Sequence, residues 1–397
     1  MAARVWRLPE IQELSKEQER ARMLPMDGCH LIVGGPGTGK SVVALLRVRR
    51  HHRDQGGQRY VFLAYNRLLL EASRELVDGA VNADTWIRRF KSIFRYALAR
   101  DCPVKDGLSY AIDWEGVNSA LESAPAELRP PITPYIVIDE GQDMPKAFYK
   151  ALLELGYEHF YVVADQNQQI TEENSSLHDI VTSLAISAAD RVVLTENYRN
   201  CDRVARLALA FCVPDPATPP VTEPRNRPCS TPVLVDYGQG CRLSFETVIE
   251  RLLKLVDRDP ERLIGVLTPT ENCRRRWLDA LRQAVGRPAL QLDHGAPRIV
   301  TYSSKEPDGD HRFSLGGIFV INAQAAKGLE FDSVFLADID QYPCHLEDET
   351  WMDSKRRLFY VMISRARDQV ILLRQAGRPC PIEAVLPSDE GILRRWR

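Results

Sequence analysis

No run of about eighteen apolar residues, the least that spans a bilayer as a helix, occurs anywhere in the sequence. The opening segment MAARVWRLPEIQELSKEQER is charged within its first turns and lacks the apolar stretch of a signal peptide. Membrane insertion and secretion are therefore not expected, and a cytoplasmic location is. An excess of one charge is also missing, since 52 Lys and Arg against 54 Asp and Glu leave a formal net charge of −2. No global positive field holds a polyanion, so any nucleic-acid contact must come from a local groove. The nine cysteines are scattered, with no CxxC pair and no His/Cys cluster at metal-ligand spacing, which predicts reduced thiols rather than a zinc site. No solenoid-period repeat and no low-complexity tract is found.

What is present is length and pattern. At 397 residues and 44% hydrophobic content, the chain can bury the cores of two ordinary domains. Short β-branched runs alternate with helical patterns: HLIVGG (30–35), YVFLAY (60–65), YIVIDE (135–140), HFYVVAD (159–165) and RVVLTE (191–196). The second half repeats the theme in RLIGVLT (262–268), GIFVINA (317–323), SVFLADI (333–339) and QVILL (369–373). Near-continuous apolar strands with helices between them predict an α/β fold with parallel, doubly covered sheets. Two such series predict two lobes, 1–195 and 196–397, with small insertions at 88–132 and 287–317. A segment with seven prolines (213–233) suits a connection near the lobe boundary, and 303–313 reads as a polar loop.

The segment LIVGGPGTGKSVVALLRV reads strand, glycine loop, helix, and carries Gly34-x-x-x-x-Gly39-Lys40-Ser41. Gly34, Gly35, Gly37 and Gly39, with Thr38, let backbone N–H groups turn inward as an anion nest at a helix N-terminus. Lys40 is placed to reach β and γ phosphate oxygens, and Ser41 to ligate Mg²⁺. The plain alternative is a glycine-rich turn, but the motif arises by chance in roughly one chain per hundred of this length. At the end of a buried strand, Asp139 is suited to hold Mg²⁺ and Glu140 to orient an attacking water. These features point to ATP as substrate and to hydrolysis.

With these motifs followed by Gly141-Gln142-Asp143, the chain resembles the UvrD/Rep/PcrA branch of superfamily 1 helicases, over a span from Gln18 to Arg367. The resemblance implies two RecA-like lobes sharing one nucleotide site. Leu14-Ser15-x-x-Gln18 resembles the family's adenine-reading motif, and Ala164-Asp165-x-x-Gln168 its γ-phosphate sensor. In Thr195-Glu196-Asn197-Tyr198-Arg199 the resemblance implies that Tyr198 stacks on the base and Arg199 reaches the γ-phosphate. Gln324-Ala-Ala-Lys327-Gly328-Leu329-Glu330-Phe331-Asp332 implies Glu330 near the ribose, and Arg356 to Ala366 implies Arg365 as a second arginine finger. The physical logic is independent of the family: guanidinium groups from a movable lobe neutralise a phosphoryl group in transit only on closure.

Three places suit single-stranded nucleic acid, with DNA the expected form: Tyr65-Asn66-Arg67, Thr85-Trp86 with Arg88, Arg89 and Phe90, and Tyr360. For Trp86 and Phe90 a buried helix face is an equal alternative. Two departures from the family stand out. The stretch Gln169-Ile170-Thr171-Glu172-Glu173-Asn174 lacks the aromatic that family motors carry there, and Gln324 stands where histidine is frequent. The small insertions imply reduced duplex handling.

Two functions are therefore expected to compete. One is a DNA-stimulated ATPase that translocates on single strands, with 3′→5′ polarity implied by the resemblance and weak unwinding alone. The other is a regulatory ATPase subunit that senses DNA or nucleotide and licenses a partner nuclease, as in anti-phage systems such as Gabija. A P-loop GTPase is disfavoured because no Asn-Lys-x-Asp motif occurs.

Overall fold

The computed structural model describes residues 7–55, 59–77, 82–105, 111–124, 134–168, 173–213, 229–287, 290–303, 310–342 and 349–396. Two sheets form. The first contains β1 (Cys29–Gly34), β2 (Tyr60–Ala64), β3 (Ala83–Thr85), β4 (Tyr135–Ile138), β5 (Phe160–Ala164) and β6 (Arg191–Leu194), in the order β3-β2-β4-β5-β1-β6. The second contains β7 (Val233–Tyr237), β8 (Leu263–Thr268), β9 (Ile299–Tyr302), β10 (Gly317–Asn322), β11 (Phe331–Leu336), β12 (Ala366–Gln375) and β13 (Arg394–Trp396), in the order β13-β7-β12-β11-β8-β10-β9. All of these strand pairings are parallel, as continuous apolar runs predict.

The helices are α1 (Lys16–Met23), α2 (Lys40–Gln55), α3 (Arg67–Leu76), α4 (Trp86–Leu98), α5 (Trp114–Glu122), α6 (Lys146–Glu154), α7 (Leu177–Ser183), α8 (Asp202–Leu209), α9 (Phe245–Arg258), α10 (Glu271–Val285) and α11 (Glu349–Ser364). Alternate strand residues point to opposite layers. In the first sheet Val61, Leu63, Ile136 and Ile138 pack toward α4 to α7, whereas Phe62, Ala64 and Val137 pack toward α1 to α3. In the second, Ile264, Val266, Ile318 and Val320 face α9 and α10, whereas Phe319, Ile321, Val334 and Leu372 face α8 and α11.

The residues expected as a first insertion are part of this packing. Phe90 and Phe94 of α4 and Val117 and Ala120 of α5 belong to the core under the first sheet. The two sheets also share a core: Leu68 and Ala72 of α3 are buried in one cluster with Leu329, Phe359 and Ile363. Chain ends and connections are set by local chemistry. Ser15 caps α1 by accepting from Gln18 N at 3.1 Å while the Gln18 side chain accepts from Ser15 N at 3.0 Å, a reciprocal capping box.

A corner recurs in the two sheets. After β4, Glu140 takes φ 55° and a 3-10 turn follows at Gly141–Asp143; after β11, Asp338 takes φ 53° and another follows at Ile339–Gln341. One expectation is corrected. Cys201 and Cys229 form a disulfide, Cα atoms 6.3 Å apart, whereas the other described cysteines are free thiols. Their separation of 28 residues leaves no spacing signal in the sequence. Most of the proline-rich segment (214–228) and most of the polar loop (304–309) lie outside the described residues.

Candidate nucleotide site between the two sheets

The glycine loop leaves the end of β1, between β5 and the edge strand β6 of the first sheet, and runs into α2. Its glycines are required by close approach. A Cβ on Gly37 would lie 2.2 Å from Asn197 Oδ1, and one on Gly39 2.4 Å from Gln18 Nε2. Gly37 and Gly39 also take φ 75° and 87°, which favour glycine. Thr38 Oγ1 donates to Gly35 O at 2.8 Å. Gln18 Nε2 donates to Thr38 O at 2.9 Å, and Tyr198 N donates to Gly37 O at 2.8 Å, so the expected adenine-side residues flank the loop. Tyr198 Oη donates to Glu196 at 2.5 Å.

Lys40 is buried with its ammonium turned back onto Gly34 O (2.7 Å) and Gly35 O (2.8 Å), 3.6 Å from Asp165. Burial lowers its pKa even though Asp165 and Glu140 favour the charged form. These carbonyl contacts are exchangeable for phosphate oxygens of greater charge.

Asp139 and Glu140 follow β4 at the carboxyl edge of the sheet. Asp139 Oδ1 accepts from Glu140 N at 3.0 Å, but its buried Oδ2 has no partner. Burial first and the Glu140 charge second push the Asp139 carboxyl up to about 7, against the nearby Ser41 hydroxyl, which favours ionisation. An orphaned carboxylate oxygen beside a hydroxyl is a donor pair that fits Mg²⁺. Glu140 is also buried, which opposes its ionisation, but Lys327, Lys40 and Arg365 overcome this and hold its pKa below the ordinary value. Gln142 Nε2 donates to its Oε2 at 2.7 Å, fixing the carboxylate.

The second sheet supplies the facing wall. Arg365 is buried; its Nε donates to Val361 O at 3.0 Å and its Nη2 to Gln168 Oε1 at 2.5 Å. Burial and the neighbouring Arg199 lower its pKa to about 10. Gln168 in turn donates to Asp165 Oδ2 at 2.7 Å. Arg199 pairs with Glu330 at 2.5 Å and donates to Ser364 O at 3.4 Å. Lys40, Ser41, Glu140, Gln168, Arg199, Glu330 and Arg365 thus line one cleft of about 30 Å³, space for about one water. A triphosphate requires the two sheets to separate.

Residues that sequence reasoning left out complete the seam. Lys327 Nζ lies 2.5 Å from Asp143 Oδ2, both side chains fully buried, and also donates to Gln168 O. Asn200 Nδ2 donates to Ser364 O at 3.0 Å, and Asn197 Oδ1 accepts from Asn200 N and Arg199 N at 3.1 Å each. Their signal was position, since Lys327, Asp143 and Asn197 sit inside quoted motifs and Asn200 directly follows one.

The expected nucleic-acid residues divide. Tyr65, Asn66 and Arg67 lie at the end of β2 and start of α3. Asn66 Oδ1 caps α3 by accepting from Leu69 N at 2.8 Å, and its Nδ2 is unpartnered; Arg67 pairs with Glu71 at 2.8 Å. Burial pushes the Tyr65 phenol up to about 12, and Lys327 stands 5.9 Å from its ring. Thr85 is the N-cap residue of α4 and is half-buried. Trp86 and Tyr360 are corrections. Trp86 packs edge-on against Phe148 in the core, next to Phe90, and Tyr360 is only 1% exposed in the core beneath the second sheet. The burial of Trp86 fits the buried-helix alternative stated for Trp86 and Phe90, and Tyr360 is buried as well. Gln324 is exposed, and the aromatic-free residues 169–172 lie outside the described residues.

Comparison with known proteins agrees with this geometry. Residues 18–174 match the AAA domain model, and residues 317–373 match the UvrD-like helicase C-terminal domain. The ATP-dependent DNA helicase UvrD2 of Mycobacterium tuberculosis (H37Rv), like that of Mycobacterium bovis, is 35% identical over 113 residues, 25% of this chain and 16% of the relative. The match therefore spans about a sixth of the curated relatives' length. The C-terminal domain of a possible DNA helicase from Lactobacillus plantarum WCFS1 aligns with 50% of this chain and 98% of its own, at 16% identity and a TM-score of 0.33. With an AAA domain model matched on the first sheet and a UvrD-like helicase C-terminal model on the second, the chain is similar to the UvrD-like superfamily 1 helicases.

Proposed function

We propose that this chain is an ATPase that hydrolyses ATP between its two lobes, divided near residues 195 and 196, and couples closure of the cleft to single-stranded DNA. The observation that carries this reading is the convergence of Arg199 and Arg365 on the cleft that holds Lys40, Glu140 and Gln168. Before nucleotide binds, each cation has a protein partner: loop carbonyls for Lys40, Glu330 for Arg199 and Gln168 for Arg365. The γ-phosphate exchanges all three for oxygens whose charge grows in the transition state, so the cations act late. Glu140, ionised, accepts a hydrogen bond from the attacking water and takes up its proton. Mg²⁺, held by Ser41 and Asp139, would supply charge neutralisation at the β and γ oxygens.

Gln18 and Tyr198 bind the base and Glu330 the ribose. Tyr65, Asn66, Arg67 and Thr85 form the nucleic-acid edge of the first lobe, and 3′→5′ movement follows the family pattern. The experiment is ATP hydrolysis with and without single-stranded DNA and Mg²⁺. Turnover that needs Mg²⁺ and rises with DNA is expected, and indifference to every nucleic acid would overturn the coupling.

Burial of Trp86 and Tyr360 favours a second reading. With two expected stacking platforms absent, grip on a strand is weak, which suits a regulatory ATPase subunit that licenses a partner nuclease. Nuclease activity of a co-purified partner that responds to ATP and DNA only with this chain present would favour it.

A further inference from the structure

A cavity of about 590 Å³ lies away from the phosphate loop, between α9 and the β13-β7-β12 edge of the second sheet. Its floor is Val233, Ile371 and Trp396 and its wall Leu252 and Leu255. Of these Val233, Leu255, Ile371 and Trp396 are only half-buried, so apolar surface meets solvent.

Sheet geometry says what shape is missing. Seven strands about 4.8 Å apart place the outer pair roughly 29 Å from each other. Among the described residues only α9 and α10 cover this face, and two helices at about 10 Å spacing cover roughly 20 Å. The remaining strip is one helix wide. Its length agrees: the α9 wall runs from Val248 to Arg258, about 15 Å or three helical turns.

Charge says what chemistry the guest carries. Arg251, Lys254 and Arg258 recur every three or four residues along the rim on α9, and Arg394 stands on the β13 side. No acidic residue is among the lining, and among the described residues none of these four cations pairs with a carboxylate. Arg251 instead lies over the Trp396 ring at 5.6 Å. Four uncompensated cations around an apolar strip repel a basic segment and attract an acidic one.

We propose that this channel seats an acidic amphipathic helix of a partner protein, apolar face down between α9 and β7 and carboxylates on both flanks. Docking there is independent of the nucleotide cleft.

The probe is a fluorescein-labelled helical peptide of about fourteen residues with leucine at i, i+3, i+4 and i+7 and glutamate on the flanks. The controls are the same peptide with lysine for glutamate, and with glutamine for leucine. Anisotropy with the full chain should show binding of the glutamate peptide alone. Arg258→Glu with Arg394→Glu, both exposed and safe for folding, should weaken it by at least about tenfold and make the lysine peptide the better ligand. Leu255→Asp should also abolish binding, with ATP hydrolysis unchanged in every variant. No binding, equal binding of both charge versions, or binding that survives the double reversal would overturn the proposal. A concentration-dependent dimer lost in Leu255→Asp would make the occupant a second copy and overturn it too.

Discussion

Lys327 and Asp143 form an ion pair of 2.5 Å with no exposure on either side chain, and the pair bridges the two sheets. Removing one partner strands a buried charge, at a cost of about 3–5 kcal/mol. Lys327→Ala should lower the melting temperature and hydrolysis together. Lys327→Ala with Asp143→Ala should recover much of the stability, and a melting temperature no higher than in the single variant would refute the pairing.

Lys40→Ala should abolish turnover, and Glu140→Gln should retain ATP but not hydrolyse it. Each loses a fixed electrostatic contribution, a factor of roughly a hundred or more in rate. Near-normal hydrolysis in both variants would refute the site.

Arg199→Ala and Arg365→Ala act on closure. Their present partners are Glu330 and Gln168, so contact with phosphate forms mainly in the transition state. Hydrolysis should fall strongly while ATP affinity changes little. Equal losses of kcat and affinity would instead place them in ground-state binding.

Trp86 separates the two stacking readings. As a core ring against Phe148, its replacement by alanine should cost about 3–5 kcal/mol of stability. Trp86→Phe, which keeps a ring in the core, should leave affinity for single-stranded DNA unchanged. Arg67→Ala should weaken that affinity and make it less dependent on salt.

Unwinding should be poor. Base stacking on a protein ring is worth roughly 1–3 kcal/mol, comparable to about 1.4 kcal/mol per DNA stacking step, so few platforms mean little grip. The measurement is strand displacement from tailed duplexes of increasing length. Processive separation by the isolated chain would restore an ordinary helicase.

The legible parts of the sequence were those where one physical demand dominates. Buried parallel strands such as YIVI at β4 must be apolar throughout, and a phosphate nest must be glycine. Strands β3 and β13 are three residues each, one polar and one basic, and carry no such run. β7 interrupts its pattern with Asp236, which Arg374 pairs with at 2.7 Å. For Trp86 and Phe90, periodicity alone fits a core face and a stacking face equally, and only the neighbours decide. The Lys327–Asp143 pair joins residues far apart in the chain, and no local pattern encodes it.

The two αL corners end differently. Around Glu140 and Asp139 one carboxylate oxygen is left without a partner. Asp338 instead receives Arg276 at 2.5 Å, Trp277 Nε1 at 2.9 Å and the Tyr237 hydroxyl. The Asp338 carboxylate is therefore satisfied by its own neighbours, whereas the matching corner after β4 keeps a carboxylate oxygen that only something from outside the chain can satisfy. The same backbone turn thus locks one corner in place and leaves the other open to a ligand.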